Sequence, residues 1–153
     1  MKKRLSNSKG RMPKGFGWPK ERRRAAATAL HAARALLEKR GELATGELAW
    51  DVEAREVSPM SPQAVTWCSL GAICHVTRSP SYGESHPMRK AARDAMFVLG
   101  KMYESTVRTT GEAANAVYNL NDGIDHGEFQ GMTPLEHLKH VLGVFEKAEK
   151  VLR

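Results

Sequence analysis

Residues 61–76 constrain the fold of this chain more than any other segment. Ser61 followed by Pro62 predicts a helix start, because serine caps free backbone N–H groups and proline suits the first helical position. Apolar and small residues then occupy almost every face of that helix. A helix that is apolar all round is normally buried. The sequence therefore predicts a central buried helix over residues 61–77, with the rest of the chain packed around it.

Apolar spacing and capping signals predict four further helices, at residues 19–40, about 87–107, 109–119 and 133–152. Residues 42–57 lose the helical period and contain β-prone residues, which favours a short irregular or β-hairpin element. The predicted fold class is mainly α, with about five helices around the central helix. At 153 residues the chain is long enough for one ordinary core.

Positive charge is concentrated at the N-terminus. The chain has a net charge of +7, whereas residues 1–24 alone carry ten Lys or Arg and one acid, a balance of +9. The remainder is therefore slightly acidic, at −2. Residues 1–18 mix cations with Gly, Ser and Pro, so we expect a flexible basic arm followed by one helical domain, residues 19–153. The cations predicted to bind nucleic acid are Lys2, Lys3, Arg4, Lys9, Arg11, Lys14, Lys20, Arg22, Arg23 and Arg24.

Two aromatic residues, Phe16 and Trp18, stand among these cations and could stack on a base. The same charge run is also compatible with a solubilising tail, or with an arm that reaches an acidic patch on a partner protein. The N-terminus lacks the apolar stretch of a secretory signal, and no segment approaches the length of a membrane span. Cys68 and Cys74 face different ways on one predicted helix, which favours reduced thiols in the cytoplasm.

A possible pocket involves Trp67, Cys68, His75, Asn121 and Asp122. Cysteine, histidine and a loop Asn or Asp together are typical of a thiol-nucleophile site. However, Cys68 and His75 lie two helical turns apart, about 10 Å between Cα atoms, too far for a direct hydrogen bond. A buried cysteine is also a common small apolar residue. We therefore assign no catalytic residue.

Histidines near the C-terminus offer the nearest approach to a metal site. His137 and His140 have i, i+3 spacing and could share an ion with His126 or Glu128. Without a tighter His/Cys cluster, ordinary histidines on an amphipathic helix explain the pattern as well. We predict no metal and no cofactor.

Short motifs along the chain resemble those of an uncharacterised bacterial and phage domain family, a domain of unknown function. The family pattern has a Val-Ser-Pro-like segment, then Trp-Cys-x-x-Gly-Ala, then a late Asn-Asp and a Thr-capped final helix. The matching residues are Val57-Ser58-Pro59, Trp67 to Ala72, Asn121-Asp122 and Thr133.

The resemblance covers residues 26–152 and excludes the basic arm. The chain departs from it at Leu120, where the pattern has Trp, and through an insertion at 123–132. The resemblance brings no activity with it. It implies a small cytoplasmic protein, of bacterial or phage origin, in which Trp67, Cys68 and the Asn-Asp pair lie together.

Our first hypothesis is a non-enzymatic binding or accessory protein of a phage or mobile element, whose arm contacts nucleic acid or a ribonucleoprotein. One alternative is an interaction or inhibitor module that acts on a host protein. Another is a small-ligand binder or enzyme with a pocket near Trp67, Cys68 and Asp122. No membrane partner is expected.

Overall fold

Five α-helices account for most of the computed structural model, which describes residues 14–84, 86–123 and 129–153. The mainly α fold class is thus confirmed. A 3-10 helix (Lys14–Gly17) precedes α1 (Lys20–Arg40), then β1 (Ala49–Trp50), β2 (Thr66–Trp67), α2 (Ser69–Thr77), α3 (Lys90–Tyr103), α4 (Thr110–Asp122) and α5 (Pro134–Leu152). Within these described ranges, no helix combines the length and apolar character that a bilayer span requires.

The central helix α2 is buried as predicted but begins eight residues later, at Ser69. Residues 61–64 form a turn instead, in which Ser61 Oγ accepts the N–H of Gln63 at 3.1 Å. The backbone N–H of Val65 then donates to the carbonyl of Trp50 at 2.9 Å. β-branched and aromatic residues at 65–67 favour this extended pairing over a helix. Ser-Pro therefore starts a turn here, and the predicted boundary at residue 61 is wrong.

The small β element is present, but its partner strand lies outside residues 42–57. β1 pairs antiparallel with β2, with Ala49 opposite Trp67 and Trp50 opposite Thr66. Within 42–57 the structure has only a single bridge, between Trp50 and Glu56. The turn between them is held by the buried Asp51 carboxylate, which accepts two backbone N–H groups at 2.9 Å.

Glycine at position 71 allows the β element to sit directly on the central helix. A Cβ atom built there would lie 2.0 Å from the backbone oxygen of Leu48. Residues Ser69 to Cys74 are all buried. Helix α1 packs against α2, α3 and α5, and α3 packs against α4. The core therefore forms between α2 and the surrounding helices, as the apolar character of residues 61–77 indicates.

The capping signals give most helix ends correctly. Capping boxes form at Thr109 with Glu112 and at Thr133 with Glu136. Gly41 ends α1 with a left-handed conformation, φ 74°. Helix α3 is shorter than predicted at both ends. Helix α4 is longer than predicted, because it continues through residues 119–122 instead of turning there.

The first described residues of the predicted arm belong to the packed domain. The rings of Phe16 and Trp18 lie 6.1 and 6.4 Å from that of Phe97 on α3. Both aromatic side chains are half-buried. The rest of the predicted arm, residues 1–13, lies outside the described residues. The packed domain thus includes Phe16 and Trp18, which the sequence analysis assigned to the arm.

Candidate functional site

Asn121 is the centre of the predicted pocket, and every polar atom of its side chain is hydrogen-bonded. Its Oδ1 accepts both the backbone N–H and the hydroxyl of Ser69, at 2.8 and 2.9 Å. Its Nδ2 donates to the backbone oxygen of Ala44 and to Asp122 Oδ1, both at 2.8 Å. The residue is only 2% exposed. Asn121 therefore joins the start of α2, the end of α4 and the chain after α1.

Asn121 and Asp122 were predicted on a loop, which is wrong. They form the last turn of α4, and the following Gly123 is right-handed, with φ −59°. An Asn-Asp-Gly sequence favours a turn in solution. Here Asn121 is helical, and its amide forms buried hydrogen bonds with both Ser69 and Ala44, which favour the helix over a turn.

Cys68, Asn121 and Asp122 border a surface cleft of about 400 Å³. Asp122 Oδ1 also accepts the backbone N–H of Gly46 at 3.3 Å, which joins the two walls. The full lining is Gly46, Glu47, Leu48, Glu56, Cys68, Tyr118, Asn121 and Asp122. We call this the acidic cleft, since three of its eight residues are carboxylic acids and none is basic.

Local environment changes the acidity of two groups in the acidic cleft. Partial burial and the neighbouring Glu56 carboxylate raise the pKa of Glu47. Partial burial likewise raises the pKa of the Tyr118 phenol. Sequence reasoning missed Glu47, Glu56 and Tyr118, because nothing in the local pattern places residues of the 42–57 element against α4.

The thiol of Cys68 is unsuited to nucleophilic chemistry. It is buried, and its Sγ accepts the N–H of Gly71 at 3.2 Å as the cap of α2. Burial raises its pKa to about 12. The thiolate is the reactive form of cysteine, so this side chain stays protonated and inert near neutral pH. Cys74 is also a free, buried thiol with a pKa raised by burial to about 12.

Trp67 and His75 form a separate contact at Pro59. The Trp67 indole N–H donates to the Pro59 carbonyl at 3.1 Å, and His75 Nδ1 lies 2.7 Å from the same oxygen. Because a carbonyl only accepts, Nδ1 of His75 carries a hydrogen. The two rings are 4.8 Å apart. Neither residue lines the acidic cleft, so the five predicted pocket residues divide into two groups.

Arg22 and Arg23, predicted to bind nucleic acid, have internal partners. Arg22 forms two hydrogen bonds to the buried Asp94 carboxylate, at 2.8 and 2.9 Å. Its guanidinium also covers the ring of Trp18 at 4.0 Å. Arg23 donates to the backbone oxygens of Trp18 and Leu152, both at 3.2 Å. These contacts explain why Arg22 and Arg23 occupy the first turns of α1, where the helix dipole disfavours cations.

Lys20 and Arg24 remain exposed, and neither has an ion-pair partner among the described residues. They lie beside a second cleft, of about 530 Å³, between the start of α1 and the end of α5. Its lining is Lys20, Arg23, Arg24, Ala27, Thr28, His31, Leu152 and Arg153. We call this the basic cleft. Sequence reasoning missed Arg153, since only the packing of α1 on α5 brings it next to Arg24.

The remaining predicted cations belong to the first 14 residues of the chain. Lys2, Lys3, Arg4, Lys9 and Arg11 lie outside the described residues, and the Lys14 side chain is not described either.

The C-terminal histidines do not assemble a metal centre in the described part of the chain, which contains no group of three or more potential ligands. His137 is buried, and its Nε2 donates to the Leu120 carbonyl at 2.8 Å. His126 and Glu128, the other ligands considered, lie outside the described residues.

The profile of a family described as "Family of unknown function (DUF6197)" matches residues 21–150. The chain belongs to this family. The predicted resemblance to a domain of unknown function is therefore confirmed. The DUF6197 match includes the acidic cleft but begins after Lys20 and ends before Arg153, at the two margins of the basic cleft. No curated protein and no solved structure matches the chain.

Proposed function

We propose that this protein is a non-enzymatic accessory protein that binds the phosphate backbone of nucleic acid through its basic N-terminal arm. The observation that carries the proposal is the position of the charge: residues 1–24 have a balance of +9 on a chain whose net charge is +7. Cations that neutralise phosphates release condensed counterions, which drives binding without regard to sequence.

The contacts of α1 support the same proposal. Exposed Lys20 and Arg24 extend the charge of the arm onto the folded domain, and neither is paired with an acid in the described ranges. Trp18, in contrast, has one face covered by Arg22. Backbone contacts therefore suit this region better than base stacking on Trp18.

A binding role also suits the two cysteines better than catalysis does, because both thiols are buried and protonated. Free, buried thiols are compatible with the cytoplasm. We include a phage or mobile-element origin and a cytoplasmic location in the proposal. A ribonucleoprotein would offer the arm the same phosphate chemistry as free nucleic acid.

The proposal is tested with the full-length chain and fluorescently labelled DNA and RNA oligonucleotides, over a salt series that spans the range in which phosphate contacts weaken, about 50 to 200 mM. Deleting residues 1–24 would also remove Trp18 and Arg22, which pack on α3. The arm is therefore neutralised by substitution, with Lys2, Lys3, Arg4, Lys9 and Arg11 each changed to Gln. In a matched control, five exposed cations elsewhere are also changed to Gln: Lys39, Arg78, Arg108, Lys139 and Lys147.

We expect the logarithm of the wild-type binding constant to fall linearly with the logarithm of salt concentration, by about 0.7–0.9 per phosphate contacted. Neutralising the arm should make this fall shallower, reducing the magnitude of the slope by about 3–5. The control should retain the wild-type slope. Equal loss in both variants would indicate a general effect of net charge and contradict an arm-specific site. If a pull-down with the full-length chain instead captures mainly one protein, and nuclease does not reduce that capture, the alternative of a protein-interaction module is favoured.

A further inference from the structure

We propose that the folded domain contains a phosphate-binding subsite of its own, in the basic cleft, where Lys20, Arg24 and Arg153 contact the backbone of a nucleic acid. The inference rests on the proposed function, since it concerns the same class of ligand. It adds a site on the folded domain that combines residues from both ends of the chain, with Arg153 brought beside Arg24 by the packing of α5 on α1.

The basic cleft brings four cations to one surface. Lys20, Arg23 and Arg24 come from the first turns of α1, and Arg153 follows the last turn of α5. Arg23 donates to the Leu152 carbonyl at 3.2 Å, which holds the two walls together. Because this contact holds the start of α1 against the end of α5 before any ligand arrives, the two walls of the cleft do not have to be brought together on binding.

No acidic side chain of the described residues lines the basic cleft. Glu149 lies next to the cleft, with one carboxylate oxygen 3.3 Å from an Arg153 nitrogen. Glu149 is 1% exposed and is engaged mainly by Arg34, whose Nε lies 2.5 Å from it. The Arg153 guanidinium has five N–H donors, so one contact with Glu149 leaves donors for a phosphate.

The shape and chemistry of the cleft suit a phosphodiester. Arginine forks match the paired oxygens of a phosphate, and the Thr28 hydroxyl adds a neutral donor to the same wall. Ala27, which is partly exposed, supplies a small apolar surface for the adjoining sugar. The volume of about 530 Å³ accommodates more than an isolated phosphate ion.

The experiment compares four full-length proteins over the same salt series: the wild type, a cleft variant, a matched control and the arm-neutralised protein. The cleft variant carries Lys20→Gln, Arg24→Gln and Arg153→Gln, and Arg23 is kept because it joins α1 to α5. The matched control carries three substitutions at exposed cations outside the cleft, Lys39→Gln, Lys139→Gln and Lys147→Gln. Thermal unfolding of each protein confirms that the fold is retained.

Loss of three phosphate contacts should make the affinity of the cleft variant less dependent on salt, reducing the magnitude of the slope by about 2–3. The control should keep the wild-type slope. Equal slopes in the cleft variant and the wild type would overturn the cleft inference but leave arm-dependent binding intact. Conversely, a slope that falls in the cleft variant but not in the arm-neutralised protein would support the cleft and contradict the arm. The experiment therefore distinguishes a cleft that does not bind nucleic acid from an arm that does not bind it.

A second measurement detects the subsite without a nucleic acid. Inorganic phosphate is titrated into the full-length protein, with chloride at equal ionic strength as the reference, and backbone amide shifts are followed by NMR. We expect shifts confined to residues 20–28 and 152–153 that are absent in the cleft variant. Such shifts without binding of any oligonucleotide would show that the cleft binds phosphate but not nucleic acid, and would refute the nucleic-acid proposal. If neither NMR shifts with phosphate nor binding of an oligonucleotide is observed, both the cleft inference and the nucleic-acid proposal are refuted.

Discussion

Replacing Asn121 with alanine tests the hydrogen-bond centre that holds the acidic cleft. The substitution leaves the backbone N–H of Ser69 and the backbone oxygen of Ala44 without the partners that Asn121 gives them at 2.8 Å. Each unsatisfied buried group costs about 1–3 kcal/mol, so the free energy of unfolding should fall by about 2–6 kcal/mol. Total stabilities are about 5–15 kcal/mol, which makes this a large fraction.

Urea denaturation followed by circular dichroism measures that loss as a lower midpoint with little change in slope. For a chain of this size the thermal midpoint should fall by about 4–24 °C. Asn119→Ala is the matched control, because Asn119 is an exposed residue of the same helix. A change of under about 0.5 kcal/mol in Asn121→Ala, like that of an ordinary surface substitution, would refute the role assigned to Asn121.

Three further perturbations follow from the structure. Gly71→Ala should destabilise the fold by several kcal/mol in urea denaturation, because the new Cβ would lie 2.0 Å from the Leu48 oxygen and overpacking typically costs about 1–3 kcal/mol or more. Cys68 and Cys74 should resist alkylation near neutral pH, as measured by mass spectrometry, because burial raises the pKa of both thiols to about 12. Glu149→Gln should lower stability near neutral pH by about 2–3 kcal/mol, the contribution of hydrogen bonds to a charged group, as measured in urea.

The Glu149 effect has a defined dependence on pH. Burial tends to raise the pKa of this carboxyl, but hydrogen bonds from Arg34 and His31 outweigh burial and lower it below its usual value. A carboxyl whose pKa is lower in the folded state stabilises the protein above its unfolded pKa of about 4.3, and this stabilisation is lost as the pH falls through the folded value. The gap between wild type and Glu149→Gln should therefore narrow below about pH 4. A constant gap would contradict the ion-pair explanation.

Each of these variants has a control within the chain. Gly143 lies in α5 with open space around it, so Gly143→Ala should raise stability by up to about 1 kcal/mol, opposite in sign to Gly71→Ala. Full alkylation of both cysteines in urea shows that their protection comes from the fold, whereas fast labelling of native Cys68 would contradict its burial. Glu146→Gln, at an exposed site on α5, should leave the urea midpoint nearly unchanged.

Local signals in the sequence predict the helical frame. Thr-x-x-Glu capping boxes at residues 109 and 133 and the left-handed Gly41 mark helix ends, because their hydrogen bonds are formed within a few residues. The buried nature of residues 69–74 follows equally from their composition. The start of α2 could not be predicted in the same way. Thr66 and Trp67 pair with a strand formed by residues 49–50, and that pairing competes with the helix that Ser61 and Pro62 indicate.

The candidate sites depend more strongly on tertiary contacts. The sequence points to the Asn121-Asp122 pair but not to its partners Ser69 and Ala44, which are 52 and 77 residues away. It also counts Arg22 among the cations available to a ligand, whereas Asp94 engages it from α3. Charge composition predicts a basic region, but only the packing of helices determines which of its cations remain available.

The dependence of nucleic-acid affinity on salt tests the central proposal most directly. It is measured on the full-length chain with labelled DNA and RNA oligonucleotides between about 50 and 200 mM salt. The proposal predicts binding whose affinity falls steeply with salt and whose slope decreases when the cations of residues 2–11 are replaced by Gln. An absence of binding at the lowest salt concentration, or an affinity that does not change with salt, would contradict it.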